Sequence, residues 1–279
     1  MQLTVLGCRA GMPADGQPSS GYLVDTAGAR LLIDCGPGTA VALSAVAPPS
    51  SLDAVVISHF HSDHCYDLLP IGKSLLNGLL EVQGGPPRRE GEFRPVPLYV
   101  PSGARELFDR WGALFPVTTL PLLDRAFEVA FDVREYTPGE SFQAGDCAIT
   151  PQELRHVLPN YGLRVEAPCG TLAYTGDTGV TPALVELAAG VDVLLAESTL
   201  AETDRSDHGH LSGADAGRVA RAAGVAELVL THFASSEPEW LSHLARTAAD
   251  EFAGPVHMGA PGLTVAVNRT VDAVRSAQR

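Results

Sequence analysis

The chain has 279 residues, 45% of them hydrophobic and 19% charged, with 33 acidic against 19 basic side chains and a net charge of −14. This composition supports a sizeable core, while the acidic balance disfavours a grip on long nucleic acid, whose phosphates call for a basic face. No apolar run reaches the roughly 18–20 residues of a membrane span, and Cys8, Cys35, Cys65, Cys147 and Cys169 form no C-x-x-C pair, so neither membrane insertion nor a disulfide framework is expected.

Residues 3–6, 21–25 and 30–34 are short apolar segments separated by turn-rich stretches such as Gly11-Met-Pro-Ala-Asp-Gly16, and read as strands. The first of them begins without a charged leader, so a cytoplasmic protein is the expectation. A helix over 38–46 stops at Pro48-Pro49. Asp53-Ala-Val-Val-Ile-Ser58 has the β-branched character of a buried strand, and 67–80 reads as a helix. Residues 83–97, rich in glycine and proline, read as an exposed flap, followed by a strand at 98–100 and a helix at 102–114. Strands are expected at 127–135, 146–155, 161–166 and 170–175. A helix at 182–189, a strand at 191–196, a helix at 212–223, a strand at 227–231 and a helix at 238–252 follow. With no internal repeat, the chain reads as a single α/β domain over 1–279, a four-layer αβ/βα sandwich with two facing sheets and outer helices.

Between strand 53–58 and helix 67–80 stands His59-Phe-His-Ser-Asp-His64. Three imidazoles and a carboxylate on one strand-to-helix loop suit zinc and similar borderline cations; the bland alternative is a solvated, histidine-rich loop. Further candidates stand at ends of expected strands: His156 after 148–155, Asp177 after Thr171-Leu-Ala-Tyr-Thr-Gly176, and His232 after Glu227-Leu-Val-Leu-Thr231. His210 lies in Gly209-His-Leu-Ser-Gly213, just before a helix. Cys65 reads as a small buried residue rather than a ligand.

His-x-His-x-Asp-His followed by a distant histidine, a Gly-Asp-Thr and a final histidine resembles the signature of metallo-β-lactamase fold hydrolases. Ile33-Asp-Cys-Gly-Pro-Gly-Thr39, Ala196-Glu-Ser-Thr199 and the segment around His210 resemble its ribonuclease Z branch of phosphodiesterases. The resemblance covers roughly residues 2–260. It implies a dinuclear site in which His59, His61 and His156 hold one metal, Asp63, His64 and His232 hold the second, and Asp177 bridges them. Two zinc ions are expected, with manganese or iron as substitutes, and a metal-bridging hydroxide attacks phosphorus. Asp63 also orients that nucleophile. His210 is then the general acid or oxyanion stabiliser, with His208 a weaker candidate for the role. Glu197 supports His210 or, alternatively, caps a helix. Asp34 braces the metal loop, and His243 and His257 are surface or structural.

Transfer-RNA-processing members of the branch carry a long arm between the third-motif histidine and the Gly-Asp-Thr. Here only twenty residues separate His156 from Asp177. A small phosphodiester, a cyclic nucleotide or short RNA end, is therefore the expected substrate. A lactonase or thioesterase, a tRNA 3′-processing endoribonuclease and a non-catalytic scaffold stand as alternatives. A homodimer with no membrane or long nucleic-acid partner is expected.

Overall fold

Nearly uninterrupted apolar runs build strands that are buried on both faces. In the computed structural model, which describes residues 1–79 and 93–269, β1 (Gln2–Gly7), β2 (Gly21–Asp25) and β3 (Arg30–Cys35) form an antiparallel meander. β4 (Ala54–Val56), β5 (Val96–Val100) and β6 (Phe131–Glu135) extend it in parallel. The second sheet runs from an antiparallel group, β7 (Phe142–Ala144), β8 (Cys147–Leu154), β9 (Asn160–Ala167) and β10 (Gly170–Tyr174), into the parallel strands β11 (Val193–Glu197), β12 (Glu227–Thr231) and β13 (Val256–Met258). β14 (Thr264–Ala266) returns to the first sheet beside β1. Each sheet has seven strands.

Side-chain alternation assigns each strand two jobs. Leu31, Ile33 and Val56 face the second sheet and meet Ile149, Leu163, Val165 and Leu195. Leu32, Val55 and Leu98 face the other way. They are covered by α1 (Thr39–Val46), α3 (Leu68–Leu76) and α4 (Ala104–Gly112) through Leu43, Ile71, Leu76 and Phe108, while α2 (Ser62–Cys65) is a single turn between β4 and α3. α5 (Ala183–Leu187), α6 (Gly213–Ala223) and α7 (Pro238–Glu251) cover the second sheet through Leu184, Ala216 and Leu244. This is the expected four-layer sandwich.

Several boundaries differ from expectation. Residues 126–130 form a π-helical turn rather than the start of a strand. The cause is Phe127, whose ring stacks on Phe108 of α4 at 4.4 Å, so helical packing overrides the alternation that resumes only at Phe131. The strand expected at 146–155 is the second arm of a hairpin whose first arm, β7, the alternation misses. β13 and β14, three residues each, carry too little pattern to be read, yet both pair with strands of neighbouring elements. Helix 67–80 ends its α-helical part at Leu76 and continues as a 3₁₀ turn over Asn77–Leu79. Of the flap expected at 83–97, Val96 and Pro97 belong to β5, and 83–92 lie outside the described residues.

Candidate metal centre

The parallel strands end on one side of the sandwich, and their carboxyl-terminal ends carry the polar residues. Asp34 is the last residue but one of β3, the histidine loop follows β4, His156 follows β8, Asp177 follows β10, Glu197 closes β11 and His232 follows β12. Asp34 and His232 adopt left-handed backbone conformations, with φ of 53° and 58°. Such strain in non-glycine residues persists only where surrounding bonds enforce it. Gly36 has to be a glycine because a side chain there would run into the Asp63 carbonyl.

Besides a group of Glu197, His210 and His232, two groups of ligand atoms result, each with all its members within 4.8 Å of one another: His59, His61, His156 and Asp177, then Asp63, His64, Asp177 and His232. Asp177 belongs to both. The expected set is thus brought together, with Cys65 outside it, its thiol donating to the His61 carbonyl at 3.3 Å.

Outer hydrogen bonds fix how the rings face. Asp34, an acceptor only, takes the His64 Nδ1 proton at 2.8 Å. It also takes the Ser58 hydroxyl proton at 2.7 Å, so the Ser58 oxygen accepts from His59 Nδ1 at 3.0 Å. The Gly209 carbonyl accepts from His156 Nδ1 at 3.0 Å. Thr199 donates to Glu197 at 2.7 Å and accepts from His232 Nδ1 at 2.8 Å. A neutral ring protonated on Nδ1 presents a lone pair at Nε2. His59 Nε2 and His156 Nε2 therefore point lone pairs at His61 Nδ1 from 3.1 and 3.2 Å, as His64 Nε2 does at His232 Nε2 from 3.3 Å. Asp177 Oδ1 is buried without a hydrogen-bond partner. Converging lone pairs and an orphaned carboxylate oxygen are what divalent cations satisfy, and the residues fit a metal.

The electrostatics agree. Burial pushes the His59, His61 and His156 pKa values down, which keeps the rings neutral. Burial alone would raise Asp63, but the His232 and His64 rings beside it hold it below the usual carboxylate range. A 2.7 Å bond from the Gly11 N–H also fixes its Oδ2. Burial pushes His64 down, yet Asp177 and Asp34 drive it well above the ordinary histidine value, the response expected where positive charge is favoured.

His210 stands beside both groups, its ring centroid 5.2 Å from that of His156 and 5.7 Å from that of His232. Its Nδ1 lies 2.9 Å from Glu197 Oε1. Glu197 is fully buried, closes a strand and caps no helix. Its carboxylate also accepts from the Thr178 N–H at 2.8 Å, which ties the Asp177 loop to His210. Burial lowers the His210 pKa, but Glu197 outweighs it and raises the pKa to about 9. His208 is exposed, its ring 6.4 Å from that of His210. His243 Nε2 donates to the Ala201 carbonyl at 3.0 Å, and His257 pairs with Glu227 at 2.8 Å, both away from these groups. Sequence reasoning missed Thr199, Ser58 and Tyr174. Tyr174 Oη donates to Asp34 at 2.8 Å, and no spacing rule marks a residue whose role is to hold another's proton.

Residues 29–233 match the family described as the beta-lactamase superfamily domain. Protein ML1173 of Mycobacterium leprae is 38% identical over 274 residues, covering 95% of this chain and 88% of that one. The probable metallo-hydrolase YhfI of Bacillus subtilis is 30% identical over 265 residues, covering 94% of this chain and 98% of its own. Its crystal structure matches with a TM-score of 0.80 at 27% identity, over 95% of this chain and 98% of that one. Ribonuclease Z of Myxococcus xanthus is 29% identical, covering 95% of this chain and 97% of its own. The chain belongs to the beta-lactamase superfamily of metallo-hydrolases, in its ribonuclease Z-like branch.

Proposed function

We propose that the protein is a dinuclear, zinc-dependent phosphodiesterase that hydrolyses a small phosphodiester, such as a cyclic nucleotide or a short RNA end. His59, His61 and His156 would hold one cation, Asp63, His64 and His232 the other, and Asp177 both. When bound, the cations supply Lewis acidity toward phosphoryl oxygens and acidify water. Asp63, fixed by the Gly11 N–H, accepts a hydrogen bond from the attacking water and orients it. His210 protonates the departing alkoxide oxygen, and Glu197 keeps that imidazole charged and aimed.

The observation that carries this reading is the His210–Glu197 pair beside the ligand groups. An alkoxide is a poor leaving group and gains from a proton donor, whereas a thiolate departs without one. The pair therefore favours a phosphodiester over a thioester. A small substrate is supported by the net charge of −14 and by the short β9–β10 hairpin that fills the link between His156 and Asp177. Both sheets supply ligands, so the chain is proposed to act as one unit, and as a cytoplasmic homodimer.

The test is turnover of bis(p-nitrophenyl) phosphate against a thioester and a lactone, with metal content measured in parallel. Diester cleavage by the metal-loaded protein supports the reading, and His210→Ala, with metal still bound, should cost far more on a diester with an alkoxide leaving group than on the nitrophenyl ester. Carbonyl-ester cleavage alone, by the fully loaded protein, refutes it.

A further inference from the structure

Beyond the histidine cluster, a cavity of about 510 Å³ is lined by Arg155, Val180, Thr203, Arg205, Asp215 and Arg218. Three arginines around one cavity are unexpected in a chain with only 19 basic side chains and a net charge of −14. Their charges are not equally balanced. Arg218 is compensated, pairing with Asp215 at 2.6 Å and with Glu251 at 2.9 Å. Asp215 is itself committed: Ser212 occupies its Oδ2, and Thr203 and Arg218 occupy its Oδ1.

Arg155 and Arg205 have no carboxylate partner among the described residues. Arg155 gives one bond, from Nη1 to the Ser206 carbonyl at 2.9 Å, and its Nε is buried with no hydrogen-bond partner. The guanidinium packs against Gly179, where any Cβ would displace it. Arg205 is exposed, on the same 203–206 segment that Arg155 anchors. Asp204 in that segment is turned to the Ser206 N–H at 2.8 Å.

We propose that this cavity binds a phosphate group, held between the Arg155 and Arg205 guanidinium groups, at a subsite separate from the metal centre. A planar guanidinium offers paired N–H donors that match phosphate oxygens, and a half-buried, uncompensated cation gains most from such a partner. Arg155 precedes His156, and the 203–206 segment leads into His210, so an anion here would also stiffen two segments that carry the site. The phosphate belongs either to a substrate bearing a terminal phosphate besides its diester, which rests on the functional reading above, or to a free oxyanion.

Calorimetric titration of the metal-loaded protein with inorganic phosphate tests the subsite without any turnover. The wild type takes up one phosphate beyond what the metals bind, and Arg205→Glu weakens that uptake by about tenfold or more. Arg155→Gln acts in the same direction, and Arg205→Glu, a change at an exposed position, keeps the test sound should Arg155→Gln disturb the Gly179 packing. Identical titrations of wild type and Arg205→Glu overturn the proposal, whatever the enzyme hydrolyses. Kinetics on the dinucleotide ApA with and without a 5′-phosphate then separate the sources. A KM advantage for the phosphorylated form that Arg205→Glu removes assigns the subsite to substrate; loss of phosphate uptake with that ratio unchanged assigns it to a free anion.

Discussion

Glu197→Gln removes one charge from the site and almost no volume. Oε1 faces the Thr178 N–H and His210 Nδ1 at 2.8 and 2.9 Å, and Oε2 faces the Thr199 N–H and hydroxyl at 3.3 and 2.7 Å. An amide has one acceptor oxygen, so in either orientation its NH₂ meets an N–H that cannot reverse. The larger effect is on His210. Its pKa of about 9 stands above the ordinary 6.5 because Glu197 overcomes burial, and without the carboxylate the pull of Asp177 is set against burial and His64, so the ring falls back toward the ordinary value. A pKa of 9 leaves the ring roughly 90% protonated at pH 8, and one of 6.5 leaves it roughly 3%, a ratio of about thirtyfold that shrinks to less than about twofold at pH 6. The sign is that of a raised pKa: the acid form persists up to the folded value and is lost above it. Bound cations lower both values together and move the window without closing it. The assay is the pH profile of kcat on a phosphodiester with an alkoxide leaving group. The variant should lose about thirtyfold on the alkaline side and little on the acid side. An equal loss across the range would mean that Glu197 only holds the loops together, and would refute the protonation argument.

Asp34→Asn should weaken metal binding by about 10–100-fold in competition with a chromophoric chelator, because the ring and loop partners of this fully buried carboxylate lose their acceptor; unchanged affinity would remove Asp34 from the site's support. Asp177→Ala should lower metal content and abolish turnover, and a fully loaded, active variant would rule out its shared position. Asp215→Asn should cost about 1 kcal/mol through the α6 capping box. Burial raises the Asp215 pKa, but the bonds from Ser212, Thr203 and Arg218 outweigh it and hold the carboxyl below its usual range. Its stabilisation is thus present above the unfolded value and lost as pH falls through the folded one. Thermal melts should show a gap at pH 7 that closes in acid, and a gap independent of pH would count against the assignment.

The histidine loop, His156, Asp177 and His232 are legible in the amino-acid sequence because ligand chemistry restricts residue types and each stands at the end of an apolar run. The layers are legible for the same reason, since strands buried on both faces leave long β-branched runs. What escapes is set by packing or by small partners. The 126–130 turn follows from Phe127 stacking on Phe108, a contact between distant segments. β13 and β14 are too short to carry a period. Thr199, Ser58 and Tyr174 are common residues whose role exists only through the group they touch.

Those three residues explain how half-sites from two sheets keep a common geometry. Asp34 belongs to the first sheet but accepts from Tyr174 of the second at 2.8 Å, while holding His64 and Ser58 of its own. Tyr22 of β2 meets Thr231 of β12 at 2.8 Å, one residue before His232. Thr199 joins Glu197 to His232, and Glu197 joins both to His210 and the Asp177 loop. Sliding one sheet against the other would therefore leave buried carboxylates and hydroxyls unpaired, at a cost of about 1–3 kcal/mol for each group. The inter-sheet core is apolar and tolerates small shifts, so it cannot by itself fix ligand positions to a few tenths of an ångström. The buried polar bonds supply that register, and they place it at the strand ends where the candidate metal ligands stand.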